Sequence, residues 1–559
     1  MPNCKLVKLS IAVKHKDSMV GSMKRIVILG GGFGGVYTAL ALEKEFKKCR
    51  ESIEIILVNR ENYFTYQPML AEVVGGSIDI LDSVTCLRSL LKHTSIYIRE
   101  ITDIDIKNKS ITLSPNFSHK DVIIEYDHLV LALGSVTDFR TSPGGIAEHA
   151  LPFKDLSDAV LLRNRIIDVI ETAAQESDPE ERRTLLTFVV GGGGFSGVEV
   201  VAEINDLARK KAKTYKTINP EDISVVLVHS KDRLVDRELS PSLGKYCGRL
   251  LEKRGVKILY NKRLISCSPY EAIIDSGERI KSRTIVSTVP SIPNPLIEKL
   301  NLSNGSEKIV CDSNLQVVGY ENIWSIGDCA LIPKSPKTPG EYSPPTAQFA
   351  TRQAPILAHN IKCSILGGKK KLFTFKSLGQ MAALGHQKAV GEIFGIKLSG
   401  ILAWFLWRFV YLMKIPGLSA KLRIAFSWLL AILLPSDTVQ LKSKVKGGFE
   451  NLHYSDGEII FQSGDIGDYL YVIAEGTVDV IKGDKKITSL SKGEYFGEMA
   501  LMSEKKRTAT IKAFGPCKIL AIKKQDFEVL MAHFSDLKQN FVSTENRRLD
   551  ELKKKVEGE

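Results

Sequence analysis

Glycines at two places in this chain are spaced to hold phosphates. Gly30, Gly32 and Gly35 form G-x-G-x-x-G directly after the apolar run Ile26-Val27-Ile28-Leu29. Gly192, Gly194 and Gly197 repeat the pattern after Phe188-Val189-Val190. In such a turn the first glycine permits a tight reversal, the second lets the backbone approach a pyrophosphate, and the third lets the next helix pack closely on its strand. The helix N-terminus adds open N–H groups and the positive end of its dipole. One turn of this kind also arises for structural reasons alone. Two, each with a strand before and a helix after, predict two dinucleotide sites.

Each site needs a second strand ending near the adenosine ribose. The first is Ile53 to Val58, and Asn59 stands where a ribose-binding carboxylate is expected; an amide still hydrogen-bonds a hydroxyl, more weakly than an ionised acid. The second is Ile223 to Val228, followed by His229, Lys231 and Arg233 with no acid at the strand end. An acid there selects the free 2′-OH of NADH, and cations accommodate a 2′-phosphate, so NADH and NADPH both stay open.

The elements that must carry these turns are bounded by length and composition. A chain of 559 residues exceeds one hydrophobic core and predicts about three domains. A net charge of +13 points to anionic partners, and with no recognisable nucleic-acid module those are nucleotide phosphates and acidic lipid surfaces. The nine cysteines include no C-x-x-C pair and no metal-ligand spacing, which argues against zinc or iron–sulfur sites and for free thiols in a reducing cytosol. Residues 1–22 lack a secretory pattern and read as a disordered leader or a misassigned start.

Two further segments make the resemblance specific. Ala132-Leu133-Gly134 lies between the two glycine turns, and Ile323-Trp324-Ser325-Ile326-Gly327-Asp328-Cys329-Ala330 lies after them. Together they resemble the two-dinucleotide flavoprotein disulfide-reductase superfamily, without the redox cysteine pair of its disulfide reductases. Within it, Asn62 to Leu70 resembles the N-Y-x-x-F-Q-P-x-L segment of type II NADH dehydrogenases. Pro345 to Gln353 resembles their A-Q-x-A-x-Q-Q segment, with Arg352 in place of the first paired glutamine, and Leu378 to Gly385 resembles their G-x-M-A-x-x-G turn.

That resemblance, over roughly residues 23–441, implies FAD at the first site, held by Gly30, Gly32, Phe33, Gly34, Gly35, Asn59 and Arg60. Gly134, Asp328 and Ala347 complete it, with Asp328 on the ribityl chain. It implies NADH or NADPH at Gly192, Gly194, Phe195, Gly197, Glu199 and His229. Gln348 then borders a quinone pocket, and Glu199 lies near the flavin and nicotinamide, where it handles protons. The plainer readings are an amide holding a loop and an acid complementing a helix dipole.

Residues 401–434 hold two apolar runs, split by Lys414-Ile415-Pro416-Gly417 and carrying Trp404, Trp407, Tyr411 and Trp428. Each is shorter than the about 20 apolar residues that span a bilayer, so a pair of helices embedded in one leaflet is expected. A buried or dimer-interface pair is the competing reading. Beyond the polar stretch Lys442 to Gly448, short strands with glycine turns predict a small β-barrel or jelly roll, including separate strands at Tyr469–Ile473 and Gly476–Ile481. Within it, Gly497-Glu498-Met499-Ala500-Leu501 and Arg507-Thr508-Ala509 resemble the phosphate cassette of cyclic nucleotide-binding domains. Glu498 suits a ribose 2′-OH and Arg507 a cyclic phosphate. Thr508 points toward cGMP without deciding against cAMP. Residues Asp526 to Leu552 read as a charged helix.

The expectation is thus an α/β chain with two Rossmann-like domains, membrane-associating helices and a β-barrel or jelly-roll nucleotide domain. The ranges are a leader at 1–22, the FAD domain at 23–155 and 301–395, and the NAD(P)H domain at 156–300. The helices occupy 396–441, the cyclic nucleotide domain 442–545 and a charged tail 546–559. The implied activity is a non-pumping, FAD-dependent NAD(P)H:quinone oxidoreductase on the cytoplasmic face of the inner membrane, regulated by cAMP or cGMP. Its partners are a quinone, the membrane surface and a cyclic nucleotide, with a homodimer left open and no nucleic acid or metal. The rivals are a sulfide:quinone oxidoreductase, which needs redox cysteines near the flavin, and a cyclic nucleotide sensor with a non-catalytic flavoprotein part.

Overall fold

The computed structural model describes residues 23–433 apart from 115–120, 138–145, 289–290, 301, 303–306 and 337–339, and residues 449–524 and 527 apart from 455, 466–468, 484 and 499–506. It divides into two compact units, 1–440 and 441–559.

The first unit is built on two parallel sheets of matching design. Strand Lys24–Leu29 has four consecutive fully buried residues, Ile26 to Leu29, so both faces of the sheet are covered there and no position is left for a polar side chain. It lies between Ile53–Asn59 on one side and His128–Leu131 on the other, with Ser95–Ile98 and Ile323–Ser325 at the edges. The second sheet places Thr187–Gly191 between Ser224–His229 and Thr284–Ser287, with Val256–Tyr260 and Leu151–Pro152 outside them. In each sheet the fingerprint strand occupies the point where the chain order reverses. That is where an open parallel sheet leaves a crevice beyond its carboxyl ends. The helices Phe33–Glu45 and Phe195–Ala212 follow the two glycine turns.

Helix Ala347–Leu366 packs along Phe33–Glu45 beside the first sheet, and the short helix Leu70–Gly75 packs on Phe195–Ala212 and so ties the first sheet to the second. A three-stranded antiparallel sheet, Gly379–Ala383, Ala389–Ile393 and Ile396–Ser399, leads into the helices Gly400–Lys414 and Leu418–Leu433. Among the described residues no helix is long and apolar enough to cross a membrane.

The helical hairpin is fastened by two buried carboxylates. Glu72 accepts from Arg408 at 3.2 Å and from the Trp428 indole N–H at 2.9 Å. The Arg408 guanidinium also lies over the rings of Trp404 and Trp428. Asp82 pairs with Arg423 at 2.9 Å and accepts from the Ser427 hydroxyl. The segment 62–86 therefore does more than form a loop: it folds into Tyr63–Thr65, a 3-10 turn at Gln67–Met69 and Leu70–Gly75, and it presents both acids. The opposite faces of the hairpin stay open, with Leu402 at 73%, Phe409 at 62% and Phe426 at 66% exposure.

Among the described residues the second unit is an antiparallel β structure of six strands, with Tyr471, Ile473, Val478, Phe496, Ile511 and Ile519 in its core. Here one expectation is corrected. The two strands expected at Tyr469–Ile473 and Gly476–Ile481 are a single strand, Tyr469–Lys482. Its pairing with Thr510–Lys523 shifts register on either side of Glu475. Gly476, at φ +92°, absorbs the distortion, and a Cβ there would come within 2.6 Å of the Pro516 carbonyl oxygen. The glycine marks a bulge, not a turn. The helix expected at Asp526 to Leu552 lies outside the described residues apart from Phe527.

Candidate functional site

A cavity of about 770 Å³ opens at the carboxyl ends of the first sheet. Gly30 reaches φ +105° and passes so close to Ala132 that a Cβ would lie 2.3 Å from its carbonyl oxygen. Gly35 touches the Gly30 carbonyl, where a Cβ would stand at 1.8 Å. Gly32 has nothing within 4 Å of its missing side chain, so this stretch of backbone is bare toward the cavity. The three glycines thus divide into turn, approach and helix packing as their spacing requires. Gly30, Gly32, Phe33, Gly34, Asn59, Arg60, Gly134, Asp328 and Ala347 all line the cavity, and Gly35 lies behind it.

The cavity also gathers cations that no motif announces: Arg99, Lys154 and Lys299 join Arg60 around it, against Glu100 and Asp328. This surplus of positive charge suits a pyrophosphate. Asp328 accepts from the Ser135 hydroxyl at 2.9 Å, and the Ser135 oxygen accepts from Lys154 at 3.0 Å, which orients the carboxylate into the cavity wall. A dinucleotide flavin fits this lining, with the loop backbone and cations on its phosphates and Asp328 on its polar chain.

The second cradle repeats the first. Gly192 reaches φ +113°, and a Cβ on Gly197 would stand 1.8 Å from the Gly192 carbonyl oxygen. Phe195 opens the helix, and Gly194 faces Glu238, whose Oε1 would be 3.2 Å from an added Cβ. Burial and Asp236 push the Glu238 carboxyl up, and its Oε2 is buried with no hydrogen-bond partner among the described residues.

The residues ending the second strands serve a purpose that spacing alone did not reveal. Asn59 Oδ1 accepts the Gly31 N–H at 2.8 Å, and His229 Nδ1 accepts the Gly193 N–H at 3.1 Å. Each thereby pins the middle of its glycine loop to the neighbouring strand. With Nδ1 accepting, His229 donates through Nε2 to the Arg233 carbonyl at 2.9 Å and is neutral, and burial lowers its pKa further. Arg233 spends its guanidinium on the carbonyls of Leu239 and Asp236. Two of the three cationic groups that left a 2′-phosphate open are therefore committed elsewhere.

Glu199, one turn into the second helix, accepts from the Ala383 N–H at 3.0 Å. Its carboxyl is pushed up to about 8, chiefly because dense packing desolvates it, although its surface is partly open. An acid with such a pKa exchanges protons readily near neutrality. Gln348 donates to the Gly379 carbonyl at 3.2 Å and accepts from the Ser377 hydroxyl and the Leu378 N–H. The amide thus clamps the segment 377–379 against the start of helix Ala347–Leu366.

In the second unit Glu498 and Arg507 are both buried, and Thr508 is exposed. The expectation for Arg507 meets a different arrangement. Its guanidinium donates to the carbonyls of Gly497 at 2.7 Å and Tyr469 at 2.8 Å and lies over the Phe461 ring. A phosphate must compete with these contacts. Met499 and Ala500 lie outside the described residues.

Comparison with known proteins agrees with this geometry. Residues 24–354 match the pyridine nucleotide-disulphide oxidoreductase family, residues 378–435 the NDH2 C-terminal domain, and residues 451–534 the cyclic nucleotide-binding domain. The chain is 28% identical to the type II NADH:quinone oxidoreductase NdhA of Mycobacterium tuberculosis, across 74% of this chain and 88% of the relative. It is also 28% identical to the demethylphylloquinone reductase NdbB of Synechocystis, across 74% and 97%. Among solved structures, NDH2 from Plasmodium falciparum in complex with NADH superposes with a TM-score of 0.68 at 20% identity, over 75% of this chain and all of that one. The chain belongs to the pyridine nucleotide-disulphide oxidoreductase family, with an NDH2 C-terminal domain and a cyclic nucleotide-binding domain following the two dinucleotide folds.

Proposed function

We propose that this protein is a membrane-associated NADH:quinone oxidoreductase that uses FAD, pumps no protons and is regulated by a cyclic nucleotide. The observation that carries the reading is the pair of glycine cradles, one opening on a cation-lined cavity and the other leading into the helix that carries Glu199. When bound, the flavin supplies a two-electron carrier between donor and acceptor. The chain holds both dinucleotides at loop backbone and helix N-termini, fixes the first loop through Asn59 and the second through His229, and keeps a proton on Glu199 near neutral pH.

NADH is the preferred donor because His229 is neutral and Arg233 is engaged, which leaves a 2′-phosphate without two of the three cations that the strand end offers. The quinone approaches between Gln348 and the hairpin. The open faces of Gly400–Lys414 and Leu418–Leu433 lie in the lipid interface, where an apolar acceptor dissolves. A sulfide:quinone oxidoreductase is disfavoured, since Cys329 is fully buried and burial pushes its thiol up, away from the reactive thiolate.

The test is direct. Purified protein is expected to be yellow, to bleach with NADH and to recover its colour with menadione. A colourless chain that refuses added FAD would end the proposal. Regulation predicts a change in turnover with cAMP or cGMP, and unchanged kinetics under saturating ligand with binding demonstrated would remove it.

A further inference from the structure

Helix Ala347–Leu366 carries Gln348 and, one turn further on, Arg352, so the two side chains share a face. Gln348 holds the segment 377–379. The Arg352 guanidinium lies just before that segment, over the Phe375 ring at 5.6 Å from its centroid. Where the resembling segment has a neutral amide, this chain therefore carries a permanent positive charge.

A second cation stands near it at the end of the hairpin's first helix. The Lys414 ammonium lies over the Tyr411 ring at 5.7 Å, and the Tyr37 hydroxyl donates to the Lys414 carbonyl at 2.7 Å. Tyr37 stacks on Phe33 at 6.3 Å, and Phe33 lines the cavity of the first cradle. Aromatic rings thus run from that cavity to Lys414. Dense packing, and then the charge of Arg352, lower the Lys414 pKa, so the two cations act on each other.

Neighbouring cations on the same elements are neutralised: Lys362 by Glu45, Arg408 by Glu72 and Arg423 by Asp82. Arg352 and Lys414 are exposed, and among the described residues neither head group has a hydrogen bond or an acidic partner. A lysine that ends a helix complements its dipole and needs no further reason. The dipole does not account for a second cation beside it, since like charges repel where no anion lies between them.

We propose that Arg352 and Lys414 form a subsite for an acid group on the electron acceptor, so that the preferred quinones carry a carboxylate or a sulfonate on the ring. The inference deepens the quinone-reductase reading above and rests on it. The acceptor's ring lies along the aromatic side chains, and its acid group stays at the exposed rim. There the guanidinium offers forked donors and the ammonium a point charge. The reaction keeps its balance: NADH, H⁺ and the acidic quinone give NAD⁺ and the acidic hydroquinone, with the acid group unchanged. An anionic lipid headgroup is the competing occupant. It suits the position less well, because Arg352 stands on the helix of Gln348 and not on the open faces of the hairpin.

The experiment gives the full chain NADH and one of two acceptors, menadione or the naphthoquinone with a sulfonate in place of menadione's methyl group. The measured quantity is kcat/KM for the sulfonate divided by that for menadione. Comparing it between variants cancels the difference in ring potential. The ratio is expected to fall about tenfold or more in Arg352→Gln, one lost charge-assisted contact, chiefly through the KM for the sulfonate. Arg352→Lys keeps most of the ratio, and Lys414→Gln lowers it on its own. Added salt lowers the ratio in the parent more than in either glutamine variant. Flavin absorbance checks the fold, and should one glutamine variant lose its flavin, the other carries the test. A ratio unchanged in a folded glutamine variant would overturn the subsite. If that variant also stopped co-sedimenting with phosphatidylglycerol vesicles, the cations would belong to lipid headgroups instead. A parent that reduces neither acceptor with NADH would overturn the enzyme assignment itself.

Discussion

At the scale of single residues, chemistry depends on partners that sequence spacing does not name. Glu199 is legible as an acid in the first turn of a fingerprint helix. Its desolvation is not, because the packing comes from segments far away in the chain, including the Ala383 turn. A carboxyl held near 8 in the folded chain, against 4.5 when unperturbed, has a consequence with a definite sign. Between those values the unfolded state binds fewer protons than the folded one, so this group lowers stability as pH rises through that window. Glu199→Gln removes the effect. The variant's Tm minus the parent's is expected to grow from pH 5 to pH 8, measured by calorimetry. Menadione turnover should fall about 100-fold, within the range of general acid–base catalysis, and lose its inflection near pH 8. His229 gives the second case. As a letter in the sequence it joins Lys231 and Arg233 as a cation, but the Gly193 N–H forces it to accept and so to be neutral. The KM for NADPH is therefore expected to exceed that for NADH by about tenfold or more, roughly one lost charge-assisted contact. Equal values would refute that reading of His229.

At the scale of elements, the two cradles were legible because each glycine answers a local steric demand. Gly35 and Gly197 fill the same role, each with a carbonyl oxygen 1.8 Å from where a Cβ would stand. Backbone cannot yield to a methyl at that distance without moving the helix off its strand. Gly35→Ala is thus expected to leave a protein without bound flavin, read from its visible absorbance. Gly197→Ala should remain yellow and lose bleaching by NADH. The pair separates the sites by a single methyl each. Elements outside such local rules were harder to read. Leu70–Gly75 has a hydrophobic sequence that fits a loop as well as a helix, and only the hairpin's Arg408 and Trp428 give Glu72 its burial. Gly476 looked like a turn because a bulge and a turn ask the same of a glycine, and only the partner strand Thr510–Lys523 distinguishes them.

At the scale of the molecule, the hairpin joins the flavoprotein fold to its surroundings, and its two sides obey different physics. The inner side is held by charge: Arg408 is nearly buried on Glu72, Trp404 and Trp428. Removing one partner leaves the other charged and desolvated, a loss of about 3–5 kcal/mol. Glu72→Ala is accordingly expected to loosen residues 400–433, seen as faster amide exchange there than in the two parallel sheets. The outer side is held by nothing among the described residues, and Phe405, Phe409, Leu422 and Phe426 are each more than half exposed. Burying a large apolar side chain is favourable by about 1.5–3 kcal/mol, so four serines in their place remove enough to weaken lipid partition by several powers of ten. The expected result is a variant that no longer co-sediments with vesicles and reduces a long-chain quinone poorly, yet reduces ferricyanide from solution as the parent does. Undiminished vesicle binding would assign these faces to a protein partner, and the quinone would then need another way in.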